Sequence, residues 1–417
     1  MKLRTQLFLD RIFFKPIVFL LNLLLRLGGL LLRRDHSLRS DFKIIAVCKF
    51  KGMGSIIQAT PLLQSLRKRY PRGRIVFITT EGNREIVQKI SCVDGVLCLN
   101  DTSIFSLLSS APNFLRYLIA SRIEVYLDLE IYSDFSGFVA LVSMAKQRIG
   151  FYLRSSHYRL GIYTHMMFYN IKAPIFQAYL QMGRLLHCDD VVKTLYPVKS
   201  HVRRLEIGGA ESLDLEKTQY AVINTNASDL RSERRWGGKN FTALMEKILL
   251  QYPEYKIVLT GNRKEKAYVD QITRHFAGQK EIINLAGRTS MEELIAVLQH
   301  ARVMISNDTG PLHLAHAVET PTVALFGPCS PEQYGYPGKN YILYKNLYCS
   351  PCVHEFTLPP CQGNNRCMKL ISVEEVMGGV HYFLSSAKQE QAINTRPSGS
   401  IYSAREDGVD NVLGIVR

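Results

Sequence analysis

The sequence lacks every common nucleic-acid signature. Its 417 residues contain no zinc-finger spacing, no RNP-like aromatic run and no arginine-rich block of useful length. A net charge of +16 therefore points to other anions, first of all acidic lipid and nucleotide phosphates. A small-residue cleavage site is also missing after the apolar N-terminal run, so secretion is not expected. With 21% charged residues against 47% hydrophobic ones, the composition is that of a folded chain. The length is too great for one ordinary core and suits two domains of about 150 to 200 residues with tails.

An uninterrupted membrane-spanning run is missing as well. The segment RIFFKPIVFLLNLLLRLGGLLLRR (11–34) is broken by Lys15, Asn22 and Arg26. At about 100° per residue these three and Arg33 fall within about 20° of one line on a helix, with Arg4 and Arg11 near it. Apart from Pro16 and the terminal Arg34, the rest of the helix is Leu, Ile, Phe, Val or Gly. A narrow basic stripe of this kind suits an amphipathic helix lying in the plane of an anionic membrane, its arginines among the headgroups. Residues 1–43 carry nine Lys and Arg against three Asp and Glu, which agrees with such a surface. A tilted spanning helix and a helix packed on the protein are the rivals. Pro16 to Leu32 is at the short limit for spanning, and a central Arg26 costs about 2.5–3.5 kcal/mol there.

After Asp41 short apolar runs alternate with helical ones. Strand-like IIAVCKF (44–50), RIVFIT (74–79), VLCL (96–99), EVYLDLE (124–130) and RIGF make a first series. YAVIN (220–224), YKIVLTG (255–261), EIINLAG (281–287), VMIS (303–306) and TVALF make a second. Helical stretches of about 10–15 residues between strands indicate parallel sheets, so the fold class is α/β with two facing Rossmann-like domains. The expected division is an N-terminal helix (1–41), a first domain (42–188), a linker (189–218), a second domain (219–385) and a disordered tail (386–417). Ligands are expected at the carboxyl ends of the strands.

Two strand-to-helix turns have the composition of anion sites. In SNDTGPLHLAHAVETPTVALFGP (306–328), Gly310 permits close backbone approach and Pro311 suits a first helical turn. The helix start favours a phosphate, with His313 on the first turn. Asp308 repels phosphate and fits a helix cap or a sugar hydroxyl, and Thr309 is the other cap candidate. His316 reads as structural. The second turn, KFKGMGS (49–55), places Lys49, Lys51, Gly52, Met53 and Gly54 before a helix start at Ser55. It is neither a dinucleotide fingerprint, since Ile57 holds the third glycine's place, nor a Walker loop. Its lysines suit an anionic group on an acceptor.

The stretch NDTGPLHLAHAVETPTVALFGP resembles the donor-site motif of glycosyltransferase family 9, the lipopolysaccharide heptosyltransferase family. TPLLQSLRKRYPRGRIVFIT (60–79) and VINTNASDLRSERRWGGKNFTALM (222–245) resemble two further patterns of that family, and the likeness runs over about residues 42–380. The resemblance implies a GT-B fold and metal-independent, inverting transfer of a heptose or hexose from a nucleotide-diphosphate sugar to a lipid-linked or lipopolysaccharide-type acceptor. It implies a place on the cytoplasmic face of the inner membrane, peripheral or monotopic. Donor contacts would come from Thr225, Asn226, Asn307, Asp308, Thr309, Gly310, Pro311 and His313, with Arg234 where the family has a phosphate-neutralising lysine. The family's catalytic aspartate after the glycine turn is replaced here by Ser55, which cannot take the acceptor proton without a partner. Glu130 is then the preferred base, followed by Asp128 and Glu81. The same replacement motivates the rival reading, a non-catalytic nucleotide-sugar-binding or assembly protein; an epimerase has only architecture to recommend it.

Four of nine cysteines cluster as C-x2-C-x8-C-x5-C at Cys349, Cys352, Cys361 and Cys367. A structural zinc, two disulfides and unligated thiols all fit that spacing, and no cofactor is expected for catalysis. The five scattered cysteines read as reduced core residues, which favours the cytosol.

Overall fold

The computed structural model describes residues 5, 8–32, 36–38, 41–208, 211–227, 231–353, 359 and 361–394. Two compact units divide between Tyr196 and Pro197, inside the expected linker. The first begins with a π-helical turn (Asp10–Phe14) and α1 (Lys15–Leu32), then β1 (Ile44–Cys48), α2 (Met53–Gln58), α3 (Thr60–Arg69) and β2 (Arg74–Thr80). It continues through α4 (Arg84–Gln88), β3 (Gly95–Leu99), α5 (Ile104–Ala120), β4 (Val125–Asp128), α6 (Asp134–Val142), β5 (Gln147–Tyr152), β6 (His165–Phe168) and α7 (Ile175–Leu185). The strands pair in parallel in the order β3-β2-β1-β4-β5-β6. That order reverses between β1 and β4, where diverging loops open a crevice at the carboxyl ends. Strand β1 is a continuous apolar run, and β4 is apolar up to the buried Asp128, because helices cover both sheet faces. On one face Ala46, Cys48, Ile78 and Tyr126 pack with Phe114 and Leu118 of α5 and Val139 and Ala140 of α6.

The second unit opens with an antiparallel hairpin of β7 (Arg204–Gly208) and β8 (Glu211–Asp214), within what reads as a linker. Its charged composition hides the strands, since a two-stranded ribbon needs little apolar alternation. There follow β9 (Tyr220–Asn224), α8 (Gly238–Gln251), β10 (Lys256–Leu259), α9 (Lys266–Thr273), β11 (Ile282–Asn284), α10 (Met291–Gln299) and β12 (Val303–Asn307). The unit closes with α11 (Gly310–Ala317), β13 (Thr322–Phe326), α12 (Pro331–Tyr334), β14 (Asn340–Tyr344), α13 (Arg366–Lys369) and α14 (Val373–Asn394). Its parallel sheet repeats the first topology, β11-β10-β9-β12-β13-β14, with its switch point between β9 and β12. Helix α14 carries on to Asn394, past the residue where a disordered tail was expected. The remainder of that expected tail, 395–417, lies outside the described residues.

The polar line of the N-terminal helix is divided: Asn22 turns onto the first unit, while Lys15 and Arg26 stay exposed along its edge. Asn22 is buried and its side-chain oxygen accepts from the Gly161 N–H. Lys15 Nζ lies 5.2 Å from the centre of the Tyr158 ring, and the Arg26 stem runs beside Gly161. Val18 is buried in the core with Leu21 and Leu25 against it. Arg4 and Arg33 lie outside the described residues. One turn earlier the buried Asp10 carboxylate accepts from Phe135 N at 2.7 Å, Asp134 N at 3.0 Å and Ser133 Oγ at 3.4 Å, capping the start of α6. Asp10→Ala is therefore expected to destabilise the protein by about 1–2 kcal/mol, measured as a shift in urea unfolding. Among the described residues no helix is long and apolar enough to cross a membrane.

Candidate functional site

In the second unit the ends of β9 and β12 form a polar cradle. Asn307, the last residue of β12, donates to Thr225 O at 3.1 Å and Asn226 O at 3.0 Å, and its side-chain oxygen accepts from Trp236 N at 3.1 Å. One side chain thus fixes both the loop after β9 and the approach to α8. Asn224 donates to Thr309 Oγ1 at 2.8 Å and Ser306 Oγ at 3.0 Å. Thr309 occupies the cap position of α11 without a side-chain capping bond. The expected cap role for Asp308 also fails, because its carboxylate is otherwise engaged. Arg234 Nη1 lies 3.2 Å from Asp308 Oδ2, and His313 Nε2 lies 3.6 Å from Oδ1.

The contact of Arg234 with Asp308 Oδ2 is an ion pair without hydrogen-bond geometry, while the same Nη1 donates to the Asp308 carbonyl at 3.3 Å. Burial by itself would raise the Asp308 carboxyl, but Arg234 and His313 outweigh it and hold it well below the usual carboxylate range. Burial, helped by His313, lowers His316 to about 3, so that ring stays neutral beside Thr322. Among the described residues, Thr225 Oγ1, Asn226 Oδ1, Thr260 Oγ1 and Arg234 Nε are buried with no hydrogen-bond partner. Each such group costs about 1–3 kcal/mol, and a concentration of them is a place made for a polar ligand. Thr309, Gly310 and Pro311 remain partly exposed at the helix start.

In the first unit the turn after β1 meets the end of β4. Glu130 Oε2 accepts from Lys49 Nζ at 2.8 Å, and Oε1 accepts from Phe50 N at 2.9 Å and Lys51 N at 2.8 Å. Burial would raise this carboxyl, yet Lys49, Lys51 and the backbone donors together lower it. A carboxylate held charged by three donors is a poor proton acceptor, so the expectation of Glu130 as the base does not fit its surroundings. It clamps the turn instead. The clamp leaves Lys51 and Met53 half-buried and Gly52 exposed, with Gly52 in the left-handed region at φ 86° and Gly54 buried behind it.

Asp128 is fully buried; its Oδ1 accepts from Glu130 N at 2.9 Å and its Oδ2 from Tyr163 OH at 2.5 Å, with Arg159 3.9 Å away. Burial raises it to about 6 against the pull of Arg159 and Tyr163. Without a path to solvent it positions the Glu130 backbone. Ser55 is hydrogen-bonded to the buried Tyr179 phenol, and Glu81 lies at the surface paired with Arg84 at 2.6 Å. Sequence reasoning missed Asn224, Arg159 and Tyr163. Only Asn224 left a signal, as a polar residue closing an apolar strand.

The four clustered cysteines are free thiols beside the second-unit site. Cys352 N and Val353 N both donate to Pro328 O, at 2.9 and 3.0 Å, which docks their loop behind the end of β13. Burial raises the Cys367 thiol to about 11, with neighbouring Cys352, Cys361 and Cys349 adding to it. Among the described residues no three Cys, His, Asp or Glu side chains are grouped to hold a metal ion. Cys349, Cys352, Cys361 and Cys367 thus stand as free thiols, with the other three close enough to Cys367 to act on it.

Comparison with known proteins places this geometry. The sequence profile of Glycosyltransferase family 9 (heptosyltransferase) matches residues 135–361. Lipopolysaccharide heptosyltransferase 1 of Campylobacter coli is 26% identical over 301 residues, covering 68% of this chain and 83% of that protein. Among solved structures, a glycosyl transferase family 9 protein from Veillonella parvula aligns with a TM-score of 0.66 at 18% identity, over 84% of this chain and 100% of that one. The Escherichia coli heptosyltransferase WaaC, solved with ADP, aligns with a TM-score of 0.61 at 15% identity, over 81% and 99%. The shared fold is GT-B.

Proposed function

We propose that this chain, which belongs to glycosyltransferase family 9, the heptosyltransferases, moves a heptose or hexose from a nucleoside-diphosphate sugar to a lipid-linked or lipopolysaccharide-type acceptor at a membrane surface. The observation that carries the donor assignment is the cradle at the β9/β12 switch point. There Arg234, the open start of α11 and the unpartnered Thr225 hydroxyl offer charge and hydrogen bonds to a diphosphate, while the Asn226 amide oxygen is free to accept from a sugar hydroxyl. ADP is the nucleotide present in the WaaC structure, so ADP-heptose is the first donor to try.

In the reaction the acceptor hydroxyl oxygen bonds the anomeric carbon while the bond from that carbon to the diphosphate oxygen breaks, inverting the centre, and the hydroxyl proton passes to the departing diphosphate. The departing negative charge falls to Arg234, with His313 beside it and the helix N–H groups ahead of it. Lys51 and the glycine turn of the first unit are the acceptor contacts, and Glu130 keeps that turn in shape. Since Glu81, Asp128 and Glu130 are each paired, stabilising the leaving group carries more of the barrier than proton removal does.

Nucleotide release measured with and without a lipid-linked acceptor tests this. ADP is expected to accumulate from ADP-heptose only when acceptor is present. No acceptor-dependent release with any common nucleotide sugar would sink the reading.

A further inference from the structure

Helix α1 is attached to the first unit by Val18, Leu21, Asn22 and Leu25, which leaves the opposite, most apolar surface of this N-terminal segment uncovered. Phe8, Ile12, Phe13, Ile17, Phe19, Leu20, Leu23, Leu24 and Leu27 are each between 40% and 59% exposed. On a helical projection the exposed residues of α1 from Ile17 to Leu27 share one arc of about 160°, opposite the buried Val18. An apolar surface of this size is not left to water in a stable monomer. Its occupant is indicated by charge. Arg11, Lys15 and Arg26 are exposed, the latter two along the line where the helix meets the protein. Cations bordering a uniformly apolar arc match the boundary between anionic headgroups and acyl chains.

From this we infer that the outward arc of α1 is the face by which the protein inserts into an anionic lipid bilayer, with the helix remaining docked on the first unit. This rests on the membrane-surface location proposed above and deepens it. Asp10 at the start of α6 and Asn22 on Gly161 hold the helix in register, so the first unit and its acceptor turn are anchored to the bilayer without a flexible tether.

The test is co-sedimentation of the full chain with phosphatidylcholine vesicles and with mixed phosphatidylcholine–phosphatidylglycerol vesicles. Wild type should bind the mixed vesicles more strongly, with the difference shrinking as salt rises. The variant Phe19→Ser/Leu23→Ser/Leu27→Ser should lose vesicle affinity by about tenfold or more while its melting and ADP binding stay unchanged. If it sediments as wild type does, the arc is not the docking face, although the membrane location stands. Wild type that binds neither vesicle overturns both the arc and the membrane location, while transfer to a detergent-dispersed acceptor would still support the enzymatic reading. Self-association abolished by the same substitutions, without vesicle binding, overturns the inference in favour of a second copy of the chain.

Discussion

Glu130→Gln is expected to destabilise the first unit by about 3–5 kcal/mol, read from urea unfolding at neutral pH. Glu130 and Lys49 are only 8% exposed along their side chains, so removing one charge strands the other where water hardly reaches. Glutamine keeps an oxygen for Phe50 N and Lys51 N, but its amide nitrogen then meets Lys49 Nζ, donor against donor. Lys49 and the backbone donors outweigh burial and put the folded pKa below the ordinary 4.5. The stability from this pair is therefore full above about pH 4.5 and is lost as pH falls through the folded value.

The double variant Lys49→Met/Glu130→Gln should recover most of the lost stability, because two compatible neutral groups replace the pair. That variant separates a clamp from a base. A general base supplies about 10²–10⁴-fold of rate. Stability regained while turnover stays down by that factor would make Glu130 the base. Turnover returning with stability supports the clamp.

The parts of the fold that could be read in advance are those encoded locally. Strands β1, β9 and β12 are unbroken apolar runs ended by polar or glycine residues, and the Asp308-Thr309-Gly310-Pro311 turn is visible at the start of α11. Helix α5 was not legible, because Pro112 and Asn113 interrupt a stretch that nonetheless stays helical from Ile104 to Ala120. The short edge strands β6 and β14 also carried little pattern of their own. Charge pairing was not legible at all. Lys49 lies 81 residues from Glu130, and Arg234 lies 74 from Asp308, distances that only the parallel order of the sheets closes. Periodicity placed Lys15, Asn22 and Arg26 correctly on one line of α1 but held no information on what the line faces. The answer lay at Tyr158 and Gly161, in a different part of the unit.

Arg234→Ala should weaken binding of ADP by about 30-fold to several thousand-fold, the equivalent of about 2–5 kcal/mol, as measured by calorimetry. Two effects act in the same direction. The guanidinium that would neutralise the diphosphate is gone, and Asp308, 2% exposed, is left as a buried anion beside the phosphate position. Arg234→Lys should fall between wild type and alanine, since an ammonium keeps the charge but cannot span Asp308 and a phosphate as a planar fork does. The same pair has a signature in acid. Burial would raise the Asp308 carboxyl, but Arg234 and His313 bring it well below the ordinary 3.8. Its contribution to stability is therefore present above about pH 3.8 and is lost as pH falls further. Asp308→Asn should start less stable at neutral pH and lose less between pH 4 and pH 2 in urea melts. If Arg234→Ala binds ADP as tightly as wild type while its unfolding curve is unchanged, the diphosphate does not lie against Arg234, and the donor cradle must be placed elsewhere in the second unit.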